Sequence, residues 1–134
     1  AFPTFTVLND AYNANPNSMA ESIRAMGQLQ GTRKIAMLGD MLELGAHSKT
    51  AHEEIGRILG EEHYDMVFTF GDMMKITASV AKQAGVPYVY VGKSHLDIAN
   101  AYYDVKQEGD VILVKGSRGL KMERIIEDFK ERHE

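Results

Sequence analysis

Five short apolar runs alternate with five segments of helical periodicity, and that alternation admits few folds. The runs are Phe5–Leu8, Lys34–Leu38, Met66–Phe70, Tyr88–Val91 and Val111–Val114. They are rich in valine and aromatic residues and mostly apolar at both odd and even positions. Strands of that kind are buried on both faces, as in a parallel sheet covered by helices. Strict strand–helix alternation implies right-handed crossovers. The expected fold class is therefore α/β, a Rossmann-like three-layer sandwich. Its sheet should be mostly parallel, of about five or six strands, with helices on both faces.

The intervening segments carry helix signals. Asn15-Pro16 puts a good N-cap before a proline at the first helical position, and Met19, Ile23, Met26 and Leu29 follow on one face. Ser48 is expected to cap the second helix, with Ala51, Ile55, Ile58 and Leu59 inward. Asp72 is expected to cap the third, with Ile76, Val80 and Ala84 inward and Gly85 ending it. Ser94 to Asp97 resembles a capping box before Ile98, Tyr102 and Val105. Leu120, Met122, Ile125, Ile126 and Phe129 mark the last helix.

Composition narrows the function. The 134 residues suit one hydrophobic core, and no repeat or linker divides residues 1–134, which read as a single domain. A formal net charge of -4 with no basic run argues against a nucleic-acid grip. The chain has no cysteine, which removes thiolate metal sites and cysteine nucleophiles and fits a cytoplasmic setting. The longest apolar runs fall far short of the roughly 20 residues of a membrane helix. Ala1 stands where a methionine is expected, so the sequence reads as part of a longer protein.

In parallel α/β sheets ligands gather beyond the carboxyl ends of strands, and the chemically distinctive residues of this chain sit there. Asp10 to Pro16 follows the first run. Asp10 can accept from a ribose diol, Asn13 and Asn15 offer paired donors and acceptors to a nucleobase edge, and Tyr12 can pack on a ring. The same residues serve equally well as turn and cap residues. Lys115, Gly116, Ser117 and Arg118 follow the last run. Two cations, flexible glycines and a following helix start favour an anion, and Arg118 can hold a carboxylate with two parallel bonds. An ordinary turn with a solvated basic pair fits too. Asp40 and Glu43, three apart in the second loop, could hold magnesium or act as acid and base, though a packing loop is favoured. His52, at the edge of an apolar stripe, reads as a satisfied packing residue. No phosphate loop, no G-x-G-x-x-G, no serine elbow and no histidine pair of metal-binding spacing occurs.

Three longer stretches carry a resemblance. Asn9 to Met19 (NDAYNANPNSM), Leu38 to Gly45 (LGDMLELG) and Val114 to Arg118 (VKGSR) resemble, in order and spacing, the third domain of the Mur ligases. The similarity is to the branch that joins D-alanyl-D-alanine to UDP-N-acetylmuramoyl tripeptide. His52-Glu53 and Met122-Glu123 are similar too, so the resemblance covers nearly the whole chain. Asn9-Asp10-Ala11 stands where many relatives have Asp-Asp-Ser, which removes a hydroxyl but keeps Asp10; Asn17 replaces an aspartate.

The resemblance implies a three-domain cytoplasmic enzyme of peptidoglycan synthesis. An amino-terminal domain would hold the UDP end, and a central domain would hold ATP through a phosphate loop and Mg2+; neither lies in this chain. ATP would phosphorylate the tripeptide carboxylate to an acyl phosphate, which the dipeptide amine attacks. Carried over, Asp10 would meet the ribose, with Tyr12, Asn13 and Asn15 around the adenine. Lys115, Gly116, Ser117 and Arg118 would face the amine substrate, with Arg118 or Lys115 near its carboxylate. The domain alone is expected to be inactive and to hold ATP at millimolar strength or weaker, since a few hydrogen bonds of about 1 kcal/mol each are all it offers. The alternatives are a sibling Mur or folylpolyglutamate-type ligase with another amino acid, and a stand-alone flavodoxin-like receiver or small-molecule binding module.

Overall fold

Each apolar run of the sequence is a strand. The computed structural model describes residues 5–11 and 14–132. Its strands are β1 (Phe5–Asp10), β2 (Lys34–Gly39), β3 (Met66–Phe70), β4 (Tyr88–Gly92) and β5 (Asp110–Lys115). Its helices are α1 (Pro16–Gly27), α2 (Ser48–Glu61), α3 (Met74–Gln83), α4 (His95–Val105) and α5 (Glu123–Arg132). The strands pair only in parallel, in the order β1-β5-β2-β3-β4.

The period of two along each strand divides the core into two layers. Ala36, Leu38, Val67 and Leu113 face α1, α2 and α3, meeting Met19, Ile23, Ile55, Leu59 and Met74. Their neighbours Ile35, Met37, Met66, Phe68, Ile112 and Val114 face α4 and α5, meeting Ile98, Tyr102, Ile125 and Phe129. The connections after β2 and β5, adjacent strands, therefore leave to opposite faces. A crevice opens where neighbouring connections diverge in this way.

Several local expectations need correction. Asp72 does not cap α3. Gly71, at φ +112°, turns Asp72 outward, where its carboxylate pairs with Lys75 at 3.4 Å. Asp40 from the loop after β2 takes over: its Oδ1 accepts from Met74 N at 2.7 Å and its Oδ2 from Met73 N at 3.3 Å. The buried face of α3 is Met74, Thr77, Ala78 and Ala81, so the stripe is rotated from Ile76, Val80 and Ala84, the last of which is exposed. Gly85 does end it in the left-handed region. Ser48 is the first residue of α2 and not its cap, because a 3-10 turn at Gly45–His47 already delivers helical backbone to His47. Leu29 lies beyond α1 and is exposed. Ser94 Oγ caps α4 at Asp97 N, but the Asp97 carboxylate returns to Lys93 N and to the Tyr90 hydroxyl, where the sequence suggested a reciprocal capping box.

Helices α2 and α3 lie very close together, and Gly56, against Thr77 and Val80, and Gly60, against Ala84 at the end of α3, allow it. A Cβ at Gly60 would stand 2.7 Å from the backbone oxygen of Ala84 and 3.1 Å from its carbonyl carbon. Gly60→Ala gains about 1 kcal/mol of helix propensity but must push two helices apart. The overpacking dominates because the obstacle is backbone, so we expect a net loss of about 1–2 kcal/mol in chemical denaturation. An unchanged midpoint would show that the α2–α3 contact is looser than this.

At the amino end of the sheet, opposite the crevice, Asp110 is fully buried and fully paired. Arg33 Nε donates to Oδ1 at 2.9 Å and Nη2 to Oδ2 at 2.8 Å; Tyr102 Oη and Gln107 N donate to Oδ2 at 2.7 and 2.9 Å. Burial opposes the charge, but bonds from Arg33, Gln107 N and Tyr102 outweigh it and hold the carboxyl below its usual range. Burial, reinforced by its bond to Asp110, pushes the Tyr102 hydroxyl up.

Candidate functional site

The loops at the carboxyl ends of β1, β2 and β5 converge, as the strand order dictates. Asp10 ends β1 and Lys115 ends β5, and the two are paired in register across the sheet. The Lys115 ammonium, almost wholly buried, donates to Asp10 Oδ2, which also accepts from Ser22 Oγ at 3.1 Å. A buried ammonium needs such a carboxylate, because desolvation without one costs several kcal/mol. The Asp10 side chain remains 47% exposed. Two residues assigned to different ligands in the sequence are thus one ion pair, with Asp10 as its open face. Ser22 escaped sequence reasoning. Its signal was a hydroxyl beside the Met19, Ile23 and Met26 stripe of α1.

An apolar slot of about 450 Å³ runs from Asp10 between β1 and α1, past Ser22, Met26 and Leu29. A second cleft, of about 570 Å³, lies on the other side of the loop. Ala14 and Asn15 form one wall, Leu42 and Glu43 the other, and Ser117, Arg118 and Gly119 the floor and rim. Arg118 is exposed there. Ser117 is almost buried: its Oγ accepts from Leu42 N at 2.8 Å and makes a longer contact, at 3.4 Å, as donor to Ala14 O, and its N–H donates to Asp40 O at 3.0 Å. Gly116 allows this convergence, since a Cβ there would lie 3.1 Å from Gly39 Cα and 2.7 Å from Met122 Cγ.

Asn15 caps α1: its Oδ1 accepts from Ser18 N at 2.9 Å while Ser18 Oγ accepts from Asn15 N at 3.1 Å. Tyr12 and Asn13 lie outside the described residues. The expected helix N-terminus after Gly119 is not there. A 3-10 turn at Arg118–Leu120 is followed by Lys121 in the left-handed region, and α5 starts only at Glu123. The helix dipole counted in the expectation of an anion site is therefore missing, and the side chains of Lys115 and Arg118 are what remains of it. Asp40 and Glu43 have separate roles: the first caps α3, and the second stands exposed at the rim of the cleft with φ +63°. His52 is wholly buried. Met41 N donates to its Nε2 at 3.2 Å, so the ring proton sits on Nδ1 and is donated to Ser48 O at 2.7 Å. The packing reading of His52 holds, with an added function: Asp40, Met41 and Leu42 donate their three successive amides to Phe70 O, His52 and Ser117, which fixes one wall of the cleft.

Residues 3–118 match the family model described as Mur ligase, glutamate ligase domain. The UDP-N-acetylmuramoyl-tripeptide–D-alanyl-D-alanine ligase of Bacillus subtilis (strain 168) is 39% identical in an alignment of 131 residues that covers 94% of this chain and 28% of that protein. The enzyme of the same name from Escherichia coli (strain K12) is 31% identical, over 93% of this chain and 27% of its own. The crystal structure of MurF ligase from Thermotoga maritima in complex with ADP superposes with a TM-score of 0.82 at 29% identity, covering 96% of this chain and 29% of that one. A MurF crystal structure from Acinetobacter baumannii gives 0.79 at 27% identity, over 95% and 28%. The chain thus spans somewhat more than a quarter of the length of the relatives it matches. With its parallel sheet, its three motifs at the carboxyl ends of β1, β2 and β5, and these likenesses, the chain belongs to the Mur ligase family.

Proposed function

We propose that this chain is the carboxy-terminal domain of an ATP-dependent ligase that joins D-alanyl-D-alanine to UDP-N-acetylmuramoyl tripeptide in peptidoglycan synthesis. Residues 1–134 form that single domain. An amino-terminal domain binds the UDP end, and a central domain supplies the phosphate loop and the Mg2+ ligands. In a cytoplasmic parent, ATP activates the tripeptide carboxylate as an acyl phosphate, and the dipeptide amine displaces phosphate. The observation that carries the reading is the pairing of Asp10 with Lys115 beside the cleft rimmed by Arg118.

Asp10 fits a ribose. Lys115 and Ser22 both occupy its Oδ2, so the half-exposed carboxylate is oriented toward a diol. Tyr12 and Asn13 are assigned to the nucleotide by the resemblance alone, whereas Asn15, assigned there too, caps α1 and lines the other cleft. On the other side, the loop Lys115, Gly116, Ser117 and Arg118 presents Ser117 and Arg118 to the amine-substrate cleft, while Lys115 stays with Asp10. Arg118 takes the dipeptide carboxylate by a paired, charge-assisted contact. The residues of this domain bind and orient; the metal and the triphosphate belong to the central domain, so the isolated domain is inactive.

Phosphate release by the full-length parent tests the reading. Asp10→Asn keeps the shape of the side chain but removes the charge opposite the buried Lys115 ammonium, so stability should fall by a few kcal/mol, and in enzyme that stays folded the KM for ATP should rise about tenfold, equivalent to about 1.4 kcal/mol. Arg118→Ala should raise the KM for D-alanyl-D-alanine by about 10- to 100-fold and leave that for ATP unchanged. Release driven by a single amino acid and not by the dipeptide would move the parent to a sibling ligase.

A further inference from the structure

We infer that Ser117 is a positioning residue that sets the width of the amine-substrate cleft, and that it does not itself contact the substrate. The inference rests on the function proposed above. A serine hydroxyl has one proton to donate, and here that proton goes to Ala14 O while the oxygen accepts from Leu42 N. Ala14 belongs to the wall formed by the loop after β1, and Leu42 to the wall formed by the loop after β2. One atom, on the loop after β5, therefore ties the two walls together.

On the side of β2 the tie has a rigid base. The loop after β2 is held at Asp40 N, Met41 N and Asp40 O, which bond to Phe70 O, His52 Nε2 and Ser117 N. Leu42 N, the last amide before Glu43 and the cleft rim, has the Ser117 hydroxyl as its partner. Beyond it the backbone turns through Glu43 in the left-handed region and Gly45 at φ +57°. Without the hydroxyl, the wall is anchored up to Met41 and again at Leu44, and is released at Leu42 and Glu43 between them. Arg118, the next residue along, stays attached to the same strand end. Its distance to the Leu42–Glu43 wall then varies, and a substrate held between them is held less well. Asp10 and Lys115, on the far side of the β1 loop, keep their pairing.

The prediction separates the two substrates. In the full-length parent, Ser117→Ala should raise the KM for D-alanyl-D-alanine about tenfold. It should also lower the preference for the dipeptide over D-alanine by a similar factor. The KM for ATP should stay within about twofold, and the melting temperature within a few degrees. Ser117→Thr, which restores a hydroxyl at a backbone conformation (φ -60°, ψ 148°) that β-branched residues accept, should recover most of the effect. A fall in kcat alone, in step with a loss of folded enzyme and with both KM values unmoved, would overturn the proposal. So would a rise in the KM for ATP without one for the dipeptide. Arg118→Ala is the companion: if it raises the dipeptide KM and Ser117→Ala does not, the positioning role fails while the proposed function stands. If the wild-type parent shows no dipeptide-dependent release, both fail.

Discussion

Asp110→Ala is expected to cost about 3–5 kcal/mol of stability at neutral pH, a fall of about 10–20 °C in melting temperature for a domain of this size. The side chain is 1% exposed, and four donor groups converge on it. Removing it strands the Arg33 guanidinium and the Tyr102 hydroxyl in a place where water replaces neither bond well. The pair also joins the start of β2 to the start of β5, so the loss reaches the central strand and its neighbour. Because the carboxyl is held below its unfolded value of about 3.9, its contribution is present above that pH and is lost as pH falls through the folded value. Wild type should therefore lose stability from about pH 4 downward, and Asp110→Asn should flatten that limb. Melts at pH 7 and pH 3 measure both. An acid limb of equal size in the variant would assign it to other carboxylates. Ligand binding by material that remains folded should be unaffected, since the network lies at the opposite end of the sheet from Asp10.

The second large effect belongs to His52. His52→Ala removes a wholly buried ring, leaves a cavity under α2, and orphans the Met41 amide, while Ser48 O keeps its bond within the helix. The cavity costs about 2–3 kcal/mol and the stranded Met41 amide about 1–2 more. The total of about 3–5 kcal/mol should be accompanied by faster hydrogen exchange at Met41 and Leu42, the wall of the cleft. His52→Gln, whose side-chain oxygen can reach the Met41 amide, should recover part of it. A loss below about 1 kcal/mol in the alanine variant would mean that the loop after β2 repacks without the ring, and that the role given to His52 is wrong.

Both residues show where reading the chain in order stops. The five strands were legible because runs such as Lys34–Leu38 and Met66–Phe70 are apolar on both parities, and only a sheet covered twice buries them. The cap at Asn15 was legible because capping is settled within four residues, and Asn15 and Ser18 lie within that span. The same rule failed at Asp72. Gly71 turns that residue away, and the carboxylate that caps α3 comes from Asp40, 34 residues before Met74. No local pattern encodes an interaction of that separation.

The site divides in the same way. The residue types at the strand ends, Asp10 to Pro16, Gly39 to Gly45 and Lys115 to Gly119, followed from where parallel sheets place their ligands. That Asp10 and Lys115 form one pair, that Ser22 joins them, and that Ser117 ties two loops together follows only from the strand order. The crossing that inserts β5 between β1 and β2 brings loops more than 70 residues apart within hydrogen-bond reach. The sequence by itself determined the class of fold and the chemistry available at its edge, because burial and capping act over a few residues. Tertiary structure alone decided which of those groups meet, because hydrogen bonds reach about 3 Å and only the topology sets what lies within that distance.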